Sequence, residues 1–233
     1  MNDSLTKLQT DMNACRRCLD AGYEIAPGAI YRCGTVRQVM LIGQAPGITE
    51  VEARRPFNAS SGRRLFQWLG QAGWDEAAFR EKQYMTAVTK CYPGKGKNGK
   101  GDRVPSKAEQ AMCRPFLDRE MALVNPRLII PVGGLAIKLF FPQSAKLRDV
   151  IGTAVYFPPQ ALTNPVNYDI QTGQWLKRPN LQSLISNFPV DGRFLVPLPH
   201  PSGASLWPNR PENKALIAQA IQILHDIRAA WEL

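Results

Sequence analysis

Four of the five cysteines fall into a pattern that suits a metal group. Cys15 and Cys18 form a CxxC pair, Cys91 follows in the segment TKCYP, and Cys113 lies in EQAMCRPFL. Thiolates are soft ligands for zinc or for iron–sulfur clusters, and the spacing alone does not separate the two. Cys33 is predicted to be a buried free thiol, with replacement of one of the four ligands as the alternative.

Two glycine- and proline-rich segments carry the other residues with chemical potential. Residues 43–62 read GQAPGITEVEARRPFNASSG, and residues 198–205 read LPHPSGAS. The first segment contains the acid Glu50 and the aromatic Phe57, and the second places His200 between two prolines. A glycine–proline turn is usually only a turn, and a lone histidine is usually structural, so neither segment is specific by itself.

Both segments are predicted to follow strands of one sheet. The predicted strands are residues 36–42, 84–90, 127–132 and 194–198, and the predicted helices are residues 61–72, 107–124, 134–141 and 213–231. Alternating strands and helices predict a three-layer α/β/α fold with a central, mainly parallel four-stranded sheet. Residues 150–190 are expected to form loops with short helical or strand pieces. Function collects at the carboxyl ends of such strands, where both segments fall.

Length and charge narrow the class of protein. A chain of 233 residues, 44% of them hydrophobic, suits a single domain spanning residues 1–233. Its net charge of +10 favours a polyanionic partner, of which nucleic acid is the commonest. Residues 1–13 are polar and no apolar run is long enough to span a bilayer, so we expect a cytoplasmic protein with no membrane partner. In that reducing compartment, metal ligands or free thiols are favoured over disulfides.

Taken together and in this order, the two segments resemble motif A (GEAPG…RPF.G.AG) and motif B (HPS) of uracil-DNA glycosylases. The chain is most similar to the iron–sulfur family 4, from Cys15 to the last helix and least over residues 150–190. The resemblance implies a DNA-repair enzyme that flips a damaged, deaminated base out of DNA and hydrolyses its N-glycosidic bond. It also implies that the four patterned cysteines hold a [4Fe–4S] cluster, which would tie residues 1–35 to the domain.

The resemblance assigns roles to individual residues. His200 matches a histidine that donates a hydrogen bond to the departing base, and Phe57 matches an aromatic that stacks on it, with core packing as its alternative. The other catalytic candidates are Gln44 and Glu50. The base-binding candidates are Gly43, Ala45, Pro46, Gly47, Phe57, Asn58 and Ala87. The DNA-binding candidates are Ser61, Ser202, Gly203, Ser205, Leu206 and Trp207, the last two as a wedge or as local packing.

Three departures from the family pattern bear on activity. Gln44 stands where the family has a glutamate, and an amide can orient a water but cannot accept its proton. Glu50 is the candidate base, with an ordinary surface carboxylate as the alternative. Ala87 stands where TNVVKC has a base-reading asparagine, and NASSG replaces VGKAG. Candidate replacement donors are Thr86, Thr89 and Asn58.

Other functions remain open at this point. A damaged-DNA binding module with weak or no hydrolysis fits Gln44 and Ala87, and an electron-transfer protein fits the cysteines alone. Covalent capture of the abasic sugar is disfavoured, since the only histidines are His200 and His225. The lysine-rich loop at residues 93–105 either binds phosphates or is simply solvated. We expect a monomer that binds single- or double-stranded DNA.

Overall fold

The computed structural model describes residues 4–96, 99, 101–161, 168–177, 182–202 and 206–233. The strands of these residues are β1 (Val39–Gly43), β2 (Tyr84–Ala87), β3 (Leu128–Pro131), β4 (Ala154–Phe157), β5 (Gln174–Leu176) and β6 (Arg193–Leu195). The α-helices are α1 (Leu5–Ala14), α2 (Arg17–Asp20), α3 (Ile48–Ala53), α4 (Ser60–Gln71), α5 (Glu76–Lys82), α6 (Lys107–Val124), α7 (Gly134–Ile137), α8 (Leu147–Val150), α9 (Gln182–Ile185) and α10 (Pro211–Trp231). Short 3₁₀ turns cover Pro159–Ala161 and Trp207–Asn209.

The strands form one sheet in the order β2-β1-β3-β6-β4-β5. The first four are parallel to one another, β4 is antiparallel to β6, and β5 is antiparallel to β4. The mainly parallel sheet is therefore confirmed, but it is wider than the four strands predicted. The two additional strands are four and three residues long, and β4 is buried throughout. Strands this short, without polar alternation, give little periodicity in a sequence.

The strand order explains the three layers. The connection from β1 to β2 runs in one direction across the sheet and the connection from β2 to β3 runs in the other. Because such crossovers are right-handed, their helices lie on opposite faces. Accordingly α4 contacts α5 and α10, whereas α6 contacts α1 and α2. The predicted three-layer arrangement is thus confirmed.

The segment before β1 packs on the edge of the sheet and on α6. Leu8, Met12, Ala29 and Phe116 form a small apolar cluster separate from the main core. Single antiparallel bridges join Ala26 to Tyr92 and Arg32 to Met85, so this segment covers the free edge of β2. Covering an edge strand satisfies its outward N–H and C=O groups. No helix of the residues described above is long and apolar enough to cross a membrane.

A buried ion pair lies where β2 ends. The strand stops at Ala87 rather than at the predicted Lys90, and residues 88–90 form a buried bend. Lys90 Nζ lies 2.5 Å from Glu120 Oε2, and the two side chains are 2% and 0% exposed. Tyr84 and Thr86 also donate hydroxyl hydrogen bonds to the Glu120 carboxylate. A buried charge is tolerated when it is paired and hydrogen-bonded in this way.

Removing one partner of this pair is expected to be costly. Lys90→Met leaves the Glu120 carboxylate buried without its cation, so the free energy of unfolding should fall by about 3–5 kcal/mol. The double variant Lys90→Met/Glu120→Gln removes the charge and keeps an acceptor for Tyr84 and Thr86, so it should be more stable than the single variant. Urea unfolding of both variants checks this, and a double variant weaker than Lys90→Met would contradict it.

Candidate active site and cysteine cavity

A pocket of about 440 Å³ opens at the carboxyl ends of β1 and β2. It brings residues of the segment 43–62 together with His200 and Pro201 of the second segment, as the parallel sheet predicts. Its lining comprises Ile30, Gly43, Ala45, Pro46, Glu50, Pro56, Phe57, Ser61, Thr86, Ala87, His200 and Pro201. Most of these groups are apolar, and the acid, the aromatic ring and the imidazole singled out in the sequence are all among them.

The backbone at Phe57 is held from two sides. Its N–H donates to Glu50 Oε1, and its carbonyl accepts a 2.7 Å hydrogen bond from Arg80 Nη2. Arg80 Nη1 also donates to the carbonyl of Pro56 at 2.8 Å. Phe57 has a φ of +53°, which non-glycine residues rarely adopt, so these contacts maintain a costly conformation. The ring lies against Gly43, where a Cβ would be 3.0 Å from Phe57 Cζ.

Glu50 organises the loop that follows β1. Its second carboxylate oxygen accepts a 2.6 Å hydrogen bond from the N–H of Gly47, at the start of α3. Burial raises the pKa of Glu50, while the hydrogen bonds from Gly47 and Phe57 act in the opposite direction. Both oxygens are therefore engaged with backbone donors, and accepting a proton from water would compete with them.

His200 is placed by the end of β3. Val132 bridges to Leu198 in parallel, and the N–H of Gly133 donates to the Leu198 carbonyl at 2.9 Å. Gly133 has a φ of +87°, and a Cβ there would lie 3.2 Å from His200 Cδ2. A glycine at this position thus lets the imidazole lie against the backbone.

The protonation of His200 follows from its contacts. Its Nδ1 accepts a 3.2 Å hydrogen bond from the N–H of Ser202, so the ring proton is on Nε2. Burial lowers the pKa of His200, which keeps the ring uncharged at neutral pH. A neutral imidazole with Nε2–H available is a hydrogen-bond donor that brings no charge into the pocket.

The four patterned cysteines line a second cavity. Cys15 follows α1, Cys18 lies in α2, Cys91 follows β2 and Cys113 lies in α6, and all four face the same open space. No three His, Cys, Asp or Glu side chains within the described ranges are arranged to hold a metal ion. Burial raises the pKa of the Cys18 and Cys91 thiols to about 11.

The donors around this cavity fit a sulfur-ligated group. The N–H of Lys90 donates to Cys113 Sγ at 3.3 Å. Thr89 Oγ1 lines the cavity, is buried, and has no hydrogen-bond partner in the described part of the chain. Such N–H and O–H groups are typical neighbours of cluster sulfurs. Cys33 lies elsewhere, half-buried against the main core rather than buried as predicted, and its Sγ accepts a hydrogen bond from Arg37 Nη1 at 3.9 Å.

Comparison with known proteins assigns this arrangement to a family. The model of the uracil DNA glycosylase superfamily matches residues 32–225, which cover most of the chain and all of the pocket except Ile30. The chain belongs to the uracil DNA glycosylase superfamily. The prediction of a DNA-repair glycosylase is thereby confirmed at the level of the family.

Individual relatives carry the same family name. The "Type-4 uracil-DNA glycosylase" of Sulfurisphaera tokodaii is 27% identical over 183 residues, 70% of this chain and 78% of that protein. Proteins of that name from Pyrobaculum aerophilum and Thermotoga maritima are 34% and 31% identical over 118 and 103 residues, or 49% and 44% of this chain. These two matches span about half of each relative, 55% and 48%.

Some candidate residues lie away from this pocket. Asn58 donates to the Thr49 carbonyl at 3.4 Å and does not line the pocket. Gln44 and Gly47 belong to the loop after β1, but neither forms part of the lining. Thr86 lines it, but its hydroxyl bonds to Glu120, and Thr89 faces the cysteine cavity instead.

The DNA-binding candidates have mixed placements. Ser61 lines the pocket, and the backbone of Ser202 bonds to His200. Gly203 and Ser205 lie outside the described residues. Leu206 is 72% exposed, as a wedge requires, whereas Trp207 is half-buried against the core, which is the packing alternative.

Two residues that shape this pocket were not predicted from the sequence. Arg80, in α5, donates to the Phe57 carbonyl from 23 residues further along the chain. Nothing in the sequence around Arg80 distinguishes it from a surface arginine. Gly133 follows β3 in a Gly-Gly pair, and that pair at a strand end was a usable indication of close backbone approach.

Replacing Glu50 tests the loop organisation. Glu50→Gln leaves one backbone N–H, of Gly47 or Phe57, facing an amide NH₂, so the free energy of unfolding should fall by about 1–3 kcal/mol. Glu52→Gln, on the exposed side of α3, is the matched control and should change little. Thermal unfolding measures the stability of both variants. Equal stability of the two would show that the Glu50 hydrogen bonds do not stabilise the fold.

Proposed function

We propose that this chain removes a deaminated, uracil-like base from DNA by hydrolysing its N-glycosidic bond, leaving an abasic site. The observation that supports this most is the shared pocket of Phe57 and His200 at the strand ends. An aromatic face can stack on a flipped base, and a neutral imidazole can donate to its carbonyl oxygen. The net charge of +10 suits the DNA that carries the base.

The proposed mechanism rests on charge that appears only in the transition state. As the glycosidic bond breaks, its electron pair moves to the base and the sugar becomes cationic; water then adds to the sugar carbon and releases a proton to solvent, and the base anion takes up a proton from solvent. His200 Nε2–H stabilises the departing base, while Phe57 and Gly43 hold the ring. The loop fixed by Glu50 keeps these groups in place.

In this proposal the base is not recognised through an asparagine side chain. Ala87, at the end of β2, offers no side-chain hydrogen bond, and the Thr86 hydroxyl is bound to Glu120. Discrimination then falls to shape and to His200, so we expect the pocket to accept more than one deaminated base. A panel of uracil, hypoxanthine, xanthine and mispaired thymine measures this breadth.

The cysteine cavity is proposed to hold a [4Fe–4S] cluster. Four thiol side chains around one space, the N–H donated to Cys113, and the unpartnered Thr89 hydroxyl support this assignment. Bound there, the cluster would cross-link α1 and α2 to the turn after β2 and to α6. It would thereby tie residues 1–35 to the domain.

The decisive test of the glycosylase proposal is His200→Ala. Loss of a transition-state donor should slow excision of the best substrate by on the order of 100–1000-fold while DNA affinity stays within several-fold. His225→Ala, at an exposed site on α10, is the control and should retain full rate. Phe57→Ala should reduce both affinity and rate. Single-turnover excision at the wild-type rate by His200→Ala would exclude the mechanism.

The cluster assignment predicts a ligand pattern. The purified protein should contain iron and absorb broadly in the visible range. Alanine in place of Cys15, Cys18, Cys91 or Cys113 should lower iron content and stability, whereas Cys33→Ala should change neither. Zinc without iron in the wild-type protein, or iron loss in Cys33→Ala, would contradict the assignment.

One observation favours a second candidate, a damaged-DNA binding module with weak or no hydrolysis. The carboxylate that lines the described pocket has both oxygens engaged, and Gln44 cannot accept a proton. Incubation with uracil-containing DNA followed by alkali cleavage separates the two functions. Tight binding without strand cleavage would favour the module.

A further inference from the structure

An arginine-rich groove, distinct from the base pocket, lies beside the loop that follows α3. We define it by its lining: Arg32, Ala53, Arg54, Arg55, Pro56, Ala77, Arg80 and Glu81. It is open and measures about 810 Å³. Three separate parts of the chain supply its arginines: the edge segment before β1, the end of α3, and α5. Such convergence from distant positions is not a local charge run.

The charges of the arginine groove are only partly compensated. Glu76 lies 2.8 Å from Arg80 Nε and 3.3 Å from Arg55 Nη2, and Glu81 lines the groove itself. In the described part of the chain, neither Arg32 nor Arg54 forms an ion pair. Glu50 also interacts electrostatically with Arg80, so four guanidinium groups stand against three carboxylates, with Arg32 and Arg54 left outside the ion pairs, and uncompensated like charges that line one groove favour an anion.

The two unpaired arginines are oriented by the backbone. Arg32 Nε donates to the Arg80 carbonyl at 3.0 Å, and Arg54 Nη2 donates to the Ala29 carbonyl at 3.3 Å. Each bond uses one of five guanidinium N–H groups and leaves the others available. A guanidinium held in this way loses less conformational entropy on binding, and its planar fork matches a phosphate.

The position of the arginine groove identifies the source of the phosphate. Pro56 lines both the groove and the base pocket, so one residue separates the two. A strand that delivers a base to the pocket carries phosphates on both sides of the flipped nucleotide. The open shape suits an extended strand rather than an enclosed small anion.

We propose that the arginine groove is a second DNA track, in which Arg32 and Arg54 bind backbone phosphates of the strand flanking the flipped base. This inference rests on the proposed function, because it takes the pocket as the site of the flipped nucleotide. Its contacts are sequence-independent and lie apart from the HPS segment. They contribute to affinity and to its salt dependence, not to the chemical step.

Salt dependence of binding tests the arginine groove directly. We compare wild type with Arg32→Gln/Arg54→Gln, using single-stranded DNA without a damaged base as the probe. Each lost phosphate contact reduces the slope of log K against log salt by about 0.7 for single strands, so the double variant should lose about 1.4. If the double variant folds poorly, Arg54→Gln alone serves instead, and its slope should fall by about half as much.

Lys146→Gln/Arg148→Gln is the matched control, since it removes the same charge from exposed positions at α8. Its slope should stay at the wild-type value. Equal slopes for groove and control variants would overturn the inference. A second outcome would also overturn the inference. If the slopes are unchanged and pyrophosphate raises the melting temperature of the wild type but not of Arg54→Gln, the groove is a site for a free anion.

The outcomes separate this inference from the proposed function. At low salt and saturating uracil-DNA, the groove double variant should excise within several-fold of wild type, because its side chains lie outside the base pocket. If the wild-type protein excises uracil but its salt slope equals that of the groove double variant, the groove inference alone is disproved. A wild-type protein that neither binds nor excises disproves the glycosylase proposal itself.

Discussion

The left-handed backbone of Phe57 is the constraint on which the pocket depends. A φ of +53° costs free energy for a phenylalanine, so the ring can occupy its place against Gly43 only while other groups hold the peptide. Glu50 and Arg80 do this from opposite sides of the residue, one through its N–H and the other through its carbonyl. Each of these side chains is in turn fixed, Glu50 by Gly47 and Arg80 by Glu76.

In the proposed mechanism, this arrangement separates the groups that position a base from the group that stabilises its departure. The acid nearest the pocket is committed to structure, and the imidazole that faces it is neutral. A neutral donor binds the base oxygen more strongly as negative charge develops there, and this gain in the transition state raises the rate. A free charged group in the pocket would already interact strongly with the bound substrate before the bond breaks, so its interaction would increase less in the transition state.

The end of β2 links the two cavities. Thr86 and Ala87 line the base pocket, and Lys90 and Cys91, a few residues later, line the cysteine cavity. Between them the Lys90 ammonium bonds to Thr86 Oγ1 and to Glu120. The buried pair therefore fixes the turn that both cavities share.

The sequence predicted the parts of this structure that follow from local pattern. The four parallel strands, the long helix α6 and the meeting of the two glycine-rich segments all follow from periodicity and strand polarity. What it did not show depends on distant partners. Glu50 looked like a candidate base because its two backbone donors come from the fold of the loop around it. Arg80 looked like a surface charge because its acceptors lie some two dozen residues upstream.

Asn58 is a residue that the sequence suggested for the pocket and that the fold directs away from it. Its position after Phe57 made it a plausible new contact to the base, yet its amide bonds to the Thr49 carbonyl. The positive φ at Phe57 turns the chain there, so the next side chain leaves the direction that an extended segment would give it. A residue type and a spacing predict which groups are near a site, but the sign of one backbone torsion decides which of them face it. Around this pocket that torsion is stabilised by an acid and an arginine rather than by a glycine.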